Sequence, residues 1–362
     1  MYGEHPLQRS RTRQRIALAY LSIVVVMAPS GCGTGGSTHN TGSSAASAEV
    51  AAASQPILGY TWDSAHGDFR ALLGVPGAAS LSNSSLTKGA FSSAILCLRK
   101  SYALLTNSSG SIYVASLPDG EPIQVSAEVA NNQRIVVSPS CSTALVYAPG
   151  VSSAGLITGL PSAPELRPLN FGAAASIVAA AVGDLGDVLL ASSQPDGSAS
   201  VQLLPASGGT STLATLQRYG AMAFASGGTT ALLADSGANK VLMVSPSATG
   251  VSAVLLASSN DGVSLPFAIA SSADGRQAVI ANRTGTPLLR VTLTANSAPA
   301  KVPCPCQPSE LIPLAGNAVF QLSDLSSGTI YALDGTPAIP RTVFIPASKT
   351  VSSGGLSPGL SR

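Results

Sequence analysis

Histidine carries most proton transfer and zinc ligation near neutral pH, and this chain holds three: His5, His39 and His66. Only His66 stands clear of the N-terminal stretch 1–54, in the turn Ser64-Ala65-His66-Gly67-Asp68. A Ser-His-Asp triad would have to use it, yet no nucleophile-elbow pattern stands near it. It reads as a solvated turn residue. No histidine pair is available for zinc. Calcium takes oxygen ligands, and Asp184-Leu185-Gly186-Asp187 is a close acidic pair of the right kind. Its spacing fits a tight turn better, because Asp and Gly are favoured there for backbone reasons. Asp119-Gly120, Asp274-Gly275 and Asp334-Gly335 read as hairpin turns in the same way. Gly208-Gly209 and Gly227-Gly228 lack the strand-loop-helix setting of a phosphate loop. No cofactor or metal is expected.

The elements that would position any site are short strands. A strand signature recurs at Tyr60-Thr61-Trp62, Ile112-Tyr113-Val114, Leu156-Ile157-Thr158, Val201-Gln202-Leu203, Val241-Leu242-Met243, Leu289-Arg290-Val291 and Ile330-Tyr331-Ala332. From Ile112 onward each signature begins forty-odd positions after the one before, and only the step from Tyr60 to Ile112 is longer. Each is read as the third strand of a four-strand unit. Before most of them runs a second strand that is apolar on both faces, as in Ala144-Leu145-Val146-Tyr147 and Ala231-Leu232-Leu233-Ala234. Periods in the forties with four strands each mark propeller blades. Strands buried on both faces fit a sheet packed between two neighbours. A β-sandwich is the competing all-β reading, but it does not repeat a four-strand unit six times.

The expected fold is therefore an all-β β-propeller of four-stranded blades, seven in number, with six as the alternative. Six complete units begin near Phe91, and a strand pair, Ile57 to Trp62 and Phe69 to Gly74, precedes them as a reduced blade. The loops from fourth to first strand and from second to third strand converge at one end of such a channel. There they bring Asn107-Ser108, Asn131-Asn132, Arg218-Tyr219, Asp235, Asn239, Asn260-Asp261 and Asn282-Arg283. Arg218, Tyr219, Asp261, Asn282 and Arg283 form the candidate ligand rim, because loop placement is the functional hint available.

Composition agrees with an exported all-β chain. Charged residues are 10% of 362, apolar residues 45%, and Asp plus Glu number 17 against 19 Lys plus Arg. A helical surface would need more Glu and Lys. Four arginines at 9, 11, 13 and 15 against Glu4 leave a net −1 on the rest of a +2 chain. A near-neutral body gives no footprint for nucleic acid. Aromatics at 4% offer no obvious carbohydrate-stacking surface.

Arg9 to Arg15 followed by the uncharged run Ile16 to Met27 has the form of a signal peptide, too short for a spanning helix. Ala28-Pro29-Ser30-Gly31-Cys32 then resembles a bacterial lipobox, departing from it at Pro29, where a Leu-like residue is usual. That resemblance implies lipidation of Cys32. The organisation expected is a signal peptide over 1–31, a Gly/Ser/Ala-rich tether over 32–54, a propeller over 55–346 and a loose tail over 347–362. The chain would sit at the cell envelope, anchored to a bacterial membrane through its N-terminal lipid.

Across residues 55–346 the pattern resembles secreted bacterial propellers of the YVTN and NHL type. Trp62-Asp63 alone supplies a WD dipeptide, so WD-repeat proteins are a poor match. Propellers of this broad type include hydrolases, dehydrogenases, assembly factors and binding platforms, so fold decides little. Two functions follow. One is a non-enzymatic binding or scaffold module, with an unknown envelope protein or small ligand as its partner. The other is an envelope hydrolase or lyase with a metal-assisted site at the channel mouth.

The four remaining cysteines would pair in an oxidising compartment, in one of three connectivities. Cys97 and Cys141 stand about one repeat apart, which allows a bridge between adjacent blades. The expected pairs are Cys97 with Cys141 and Cys304 with Cys306. The second requires a bend at Pro305, since extended residues two apart sit at about 6.6 Å, near the geometric limit for a bridge. The alternatives at Cys304-Pro305-Cys306 are a redox or metal-binding motif, or idle thiols.

Overall fold

The structure, a computed structural model, describes residues 55–82, 91–126, 132–171, 177–247, 250–294 and 297–346. The expected signal peptide, tether, Cys32 and tail lie outside these residues. Among the described residues no helix is long and apolar enough to cross a membrane.

Seven antiparallel sheets form in chain order, each from consecutive strands. The first contains β1 (Ile57–Asp63), β2 (Asp68–Val75) and β3 (Ala78–Leu81). The second contains β4 (Phe91–Cys97), β5 (Tyr102–Asn107), β6 (Ile112–Ser116) and β7 (Ile123–Ser126), and the third β8 (Arg134–Val137), β9 (Ala144–Tyr147), β10 (Ser153–Thr158) and β11 (Glu165–Asn170). The fourth is β12 (Ile177–Val182), β13 (Val188–Ser193), β14 (Ala199–Leu204) and β15 (Ser211–Leu216). The fifth is β16 (Tyr219–Phe224), β17 (Ala231–Asp235), β18 (Lys240–Ser247) and β19 (Gly250–Ala257). The sixth is β20 (Pro266–Ser271), β21 (Gln277–Asn282), β22 (Leu288–Thr292) and β23 (Ala300–Val302). The seventh is β24 (Ile312–Pro313), β25 (Val319–Gln321), β26 (Ile330–Asp334) and β27 (Arg341–Ile345). The chain is a seven-bladed β-propeller.

The core is not one mass but seven wedges. One apolar cluster fills each junction between neighbouring blades, including the junction of the last blade with the first, where Leu58, Leu72 and Leu81 pack with Leu314, Ile330 and Ile345. Each second strand lies between two such clusters, so both its faces are buried. In β17, Leu232 belongs to one cluster and Leu233 to the next, and both are fully buried. This explains why the second strands read as unbroken apolar runs.

Ring closure is read from the first blade, and one sequence assignment is corrected there. Tyr60-Thr61-Trp62 does not lie on a third strand. Its sheet places β1 at the inner edge, and β1 runs opposite to β4. A Cβ placed on Gly67, just past the end of β1, would lie 2.9 Å from the carbonyl of Phe91 at the start of β4. One on Gly59, near the start of β1, would lie 3.0 Å from Leu98, just past the end of β4. Other blades start with a strand in the direction of β4 and follow it with one in the direction of β1. β1 therefore has the direction of a second strand, β2 of a third and β3 of a fourth. The long first step from Tyr60 to Ile112 was the sequence trace of this shift. The sequence also missed Ala78–Leu81, whose Ala and Ser content is weak strand evidence.

The two ends of the channel are built differently. At the end carrying the first-to-second-strand turns, polar side chains stitch blade to blade. Thr143 Oγ1 donates to the Gly183 carbonyl at 2.8 Å, and Asp184 accepts the Ser140 N–H at 2.7 Å. Asp184 also accepts the Gly227 N–H at 3.4 Å, Ser226 Oγ donates to the Ser272 carbonyl, and Asn317 exchanges bonds with Asp274. The Ala315 N–H reaches the Leu58 carbonyl at 2.8 Å and ties the last blade to the first. The Cys97–Cys141 disulfide joins the second and third blades at this end, with Cα atoms 5.9 Å apart. Tyr102 donates its hydroxyl to the Cys141 carbonyl beside it.

Candidate functional site

The loops of the opposite end carry the five rim residues, but not in one role. Asp261 is spent on its own turn, where its carboxylate accepts the N–H and hydroxyl of Ser258. Asn282 is 3% exposed and pins two loops together: Nδ2 donates to the carbonyls of Gly262 and Thr286, and Oδ1 accepts the Ser264 N–H. Asp235 is fully buried and accepts N–H groups from Gln217, Arg218, Gly237 and Ala238. Asn239 accepts the Leu265 N–H at 2.7 Å. These short polar side chains satisfy backbone groups that the loops leave without ladder partners.

Arg283 is different. Its side chain is exposed, and its guanidinium stands 4.9 Å over the ring of Phe267. Together with Asn282, Thr284 and Gln307 it lines a groove of about 300 Å³. The far wall of that groove is Cys304 and Cys306, which are disulfide-bonded with Cα atoms 5.0 Å apart, closer than an extended strand would hold them. Arg218 is exposed on the loop one blade earlier, and Tyr219 begins β16. Burial raises the Tyr219 hydroxyl well above its ordinary range, with Tyr147 adding to the effect and Arg134 opposing it. Those residues come from the starts of β8 and β16 and the end of β9, so they gather at this mouth.

The channel interior toward the stitched end is apolar. Residues of the inner strands, among them Leu96, Val137, Ala181, Met222 and Ile269, enclose about 330 Å³. Arg99 lies at its mouth. It donates to the Pro139 carbonyl at 2.6 Å and to Ser226 Oγ at 3.0 Å, spanning from the second blade to the third and fifth. Burial lowers its guanidinium from the ordinary arginine range, against the pull of Asp184 and Asp274. At Asp184 burial works to raise the carboxyl, but hydrogen bonds from Ser140, Ser138 and Gly227 outweigh it and hold it below the usual range. Sequence reasoning placed Asp184 in a turn, where it is, but missed its bonds to two neighbouring blades. Arg99 was missed altogether; the charged pair Arg99-Lys100 just past a strand end at Cys97 was the signal available.

His66 Nδ1 lies 2.8 Å from Asp63 Oδ2, with the imidazole largely exposed. Among the described residues no three of His, Cys, Asp and Glu gather as a metal-binding group. Asp184 and Asp235 are occupied by backbone N–H groups, Glu310 by the Gln321 side chain, and the Arg283 guanidinium stands exposed over Phe267.

No protein-family model matches the chain, and no curated protein matches it either. Solved structures do. A functionally unknown protein from Desulfotomaculum acetoxidans is similar with a TM-score of 0.54 and 13% identity, over 81% of this chain and all of that one. A protein from Lactobacillus plantarum is similar at 0.52 and 14%, over 81% and 97%. Virginiamycin B lyase from Staphylococcus aureus is similar at 0.51 and 12%, over 70% and 83%. At such identities the likeness is one of fold: the structural relatives are β-propeller proteins, and their functions vary.

Proposed function

We propose that this chain is an exported, membrane-tethered β-propeller that works as a non-enzymatic binding module, engaging its partner at the loop-built face around Arg283. The observation that carries this reading is how the polar side chains are used. Asp235, Asp261 and Asn282 are committed to loop backbone, while Arg283, stacked on Phe267, stands exposed beside an open groove. A cation held over an aromatic face suits recognition of a carboxylate or phosphate group on a partner. The stitched end supplies a rigid base, and Cys32 with its Gly/Ser-rich tether supplies reach from the membrane.

The test captures partners from envelope extract with the mature protein and with Arg283→Ala. Loss of a specific partner in the variant, with an unchanged melting temperature, is the expected result. Metal-dependent turnover of ester, lactone or glycoside probes that survives in Arg283→Ala would replace this reading by the hydrolase or lyase. Tethering is tested separately by labelling with a fatty-acid analogue: label on the parent and none on Cys32→Ser is expected.

A further inference from the structure

The two disulfides of the propeller differ in setting. Cys97 and Cys141 are 1% and 6% exposed and join two blades across 44 residues. Cys304 and Cys306 are partly exposed and enclose one residue, Pro305. They join nothing beyond their own loop, which runs from β23 to β24. A loop closed over so few residues restrains the unfolded chain little, so the bond adds little stability. The surrounding backbone also tolerates its opening. The Pro303 carbonyl accepts from Thr342 Oγ1 at 3.1 Å, and the Ser309 N–H donates to the Leu322 carbonyl at 2.9 Å. Between these anchors, residues 304–308 make no hydrogen bond among the described residues, and Pro305 and Pro308 have no N–H to offer. The two sulfurs can therefore part without breaking a ladder bond.

The groove beside them suits a small anionic reactant. Its volume is about 300 Å³, at the small end of ligand sites. Cys304 and Cys306 form one wall. Among the described residues its lining holds one charge, Arg283, and no carboxylate. The Arg283 guanidinium is exposed, stacks on Phe267 and makes no side-chain hydrogen bond among the described residues. Its N–H groups are thus open to a carboxylate. A neighbouring guanidinium also favours a thiolate over a thiol.

We propose that Cys304–Cys306 is a thiol–disulfide exchange site whose substrate is a small thiol bearing a carboxylate, held at Arg283. The thiolate of a first substrate molecule attacks the sulfur of one cysteine. The Sγ–Sγ bond breaks, a mixed disulfide forms, and the other cysteine leaves as a thiolate in the groove that Arg283 lines. A second substrate thiolate then attacks the substrate sulfur of the mixed disulfide. The substrate disulfide departs, and the two cysteine thiolates take up the protons given up by the two substrate thiols. Two thiols are oxidised and one protein disulfide is reduced. Exposed disulfides are the labile ones, in contrast to buried staples. The exchange rests on the reading of Arg283 as an anion-binding side chain and names the anion.

The test incubates the full mature chain with glutathione, and in parallel with glutathione diethyl ester, whose carboxylates are masked. Free thiols are alkylated at intervals, and each cysteine is followed by peptide mass spectrometry. Glutathione is expected to open Cys304–Cys306 about tenfold faster than Cys97–Cys141, because only the first is accessible to an attacking thiolate. A glutathione adduct on Cys304 or Cys306 is the expected transient. At equal thiolate concentration and low salt, glutathione should react about fivefold faster than its ester, the scale of one exposed charge pair. Arg283→Gln should abolish that preference, and Arg283→Lys should keep most of it. Opening of Cys304–Cys306 no faster than that of Cys97–Cys141 overturns the exchange site, and leaves the binding reading to partner capture with Arg283→Ala. Fast opening at equal rates by glutathione and its ester, or a preference that persists in Arg283→Gln, overturns the substrate class and the anion-binding role of Arg283 with it.

Discussion

Removing the Cys97–Cys141 bridge tests the blade assignment energetically. The bond closes a loop of 44 residues between two adjacent blades. In the chain-entropy treatment a loop of that length costs the unfolded state roughly 13 cal/mol/K when closed, or about 4 kcal/mol at 25 °C. For a propeller of ~290 residues the unfolding entropy is about 0.6 kcal/mol/K, so the loss lowers the melting temperature by roughly 6–7 °C. The Cys304–Cys306 bond encloses a much shorter loop, and the same relation gives it about 1 kcal/mol. Two double variants, Cys97→Ala with Cys141→Ala and Cys304→Ala with Cys306→Ala, are compared by reversible denaturation, each with and without reductant. Reduction should lower the parent and the Cys304/Cys306 variant by the larger amount, and the Cys97/Cys141 variant by the smaller one. Equal losses for the two bonds would refute the argument from loop length. A loss under ~1 kcal/mol for the longer loop would show instead that the unfolded chain keeps the two blades together.

Single substitutions elsewhere in the propeller make further predictions. Asp235→Ala should cost about 2–4 kcal/mol in chemical denaturation, because four N–H groups lose a buried charged acceptor, and Asp235→Asn should recover part of it. Asp184 is held below the ordinary carboxylate range in the fold. Its contribution is thus present above the pKa of the unfolded chain and lost as pH falls through the lower folded value. The parent should therefore lose stability below about pH 4 more steeply than Asp184→Asn, read by melting temperature against pH. Glu310 has the opposite sign. Burial raises its carboxyl, so charge there opposes folding at neutral pH, and Glu310→Gln should melt no lower than the parent at about pH 7. Leu233→Ala, at a fully buried second-strand position between blades, should cost roughly 2–5 kcal/mol.

Periodicity by itself was enough to identify a propeller and its blade spacing, because each blade is a local hairpin stack whose second strand must be apolar on both faces. Leu145, Leu189 and Leu232 each report two wedge-shaped cores from one short run. The one-repeat spacing of Cys97 and Cys141 likewise placed them on adjacent blades. What the linear order did not carry is direction and partnership. A strand of alternating residues reads alike either way along the chain, so Tyr60-Thr61-Trp62 passed for a third strand until its neighbours at Phe91 and Leu98 showed which way it runs. Loop residues were placed at the correct end of the channel but not given their tasks. Whether an Asp or Asn faces a ligand or its own backbone depends on which N–H groups arrive around it. Those of Asp235 come from two separate loops, one at Gln217-Arg218 and the other at Gly237-Ala238. Asp184 acts on the two blades beside its own, and Arg99 on a blade far from it along the chain. Only the curvature of the ring brings Ser226 within reach of Arg99, which is why the stitched end belongs to the tertiary structure alone.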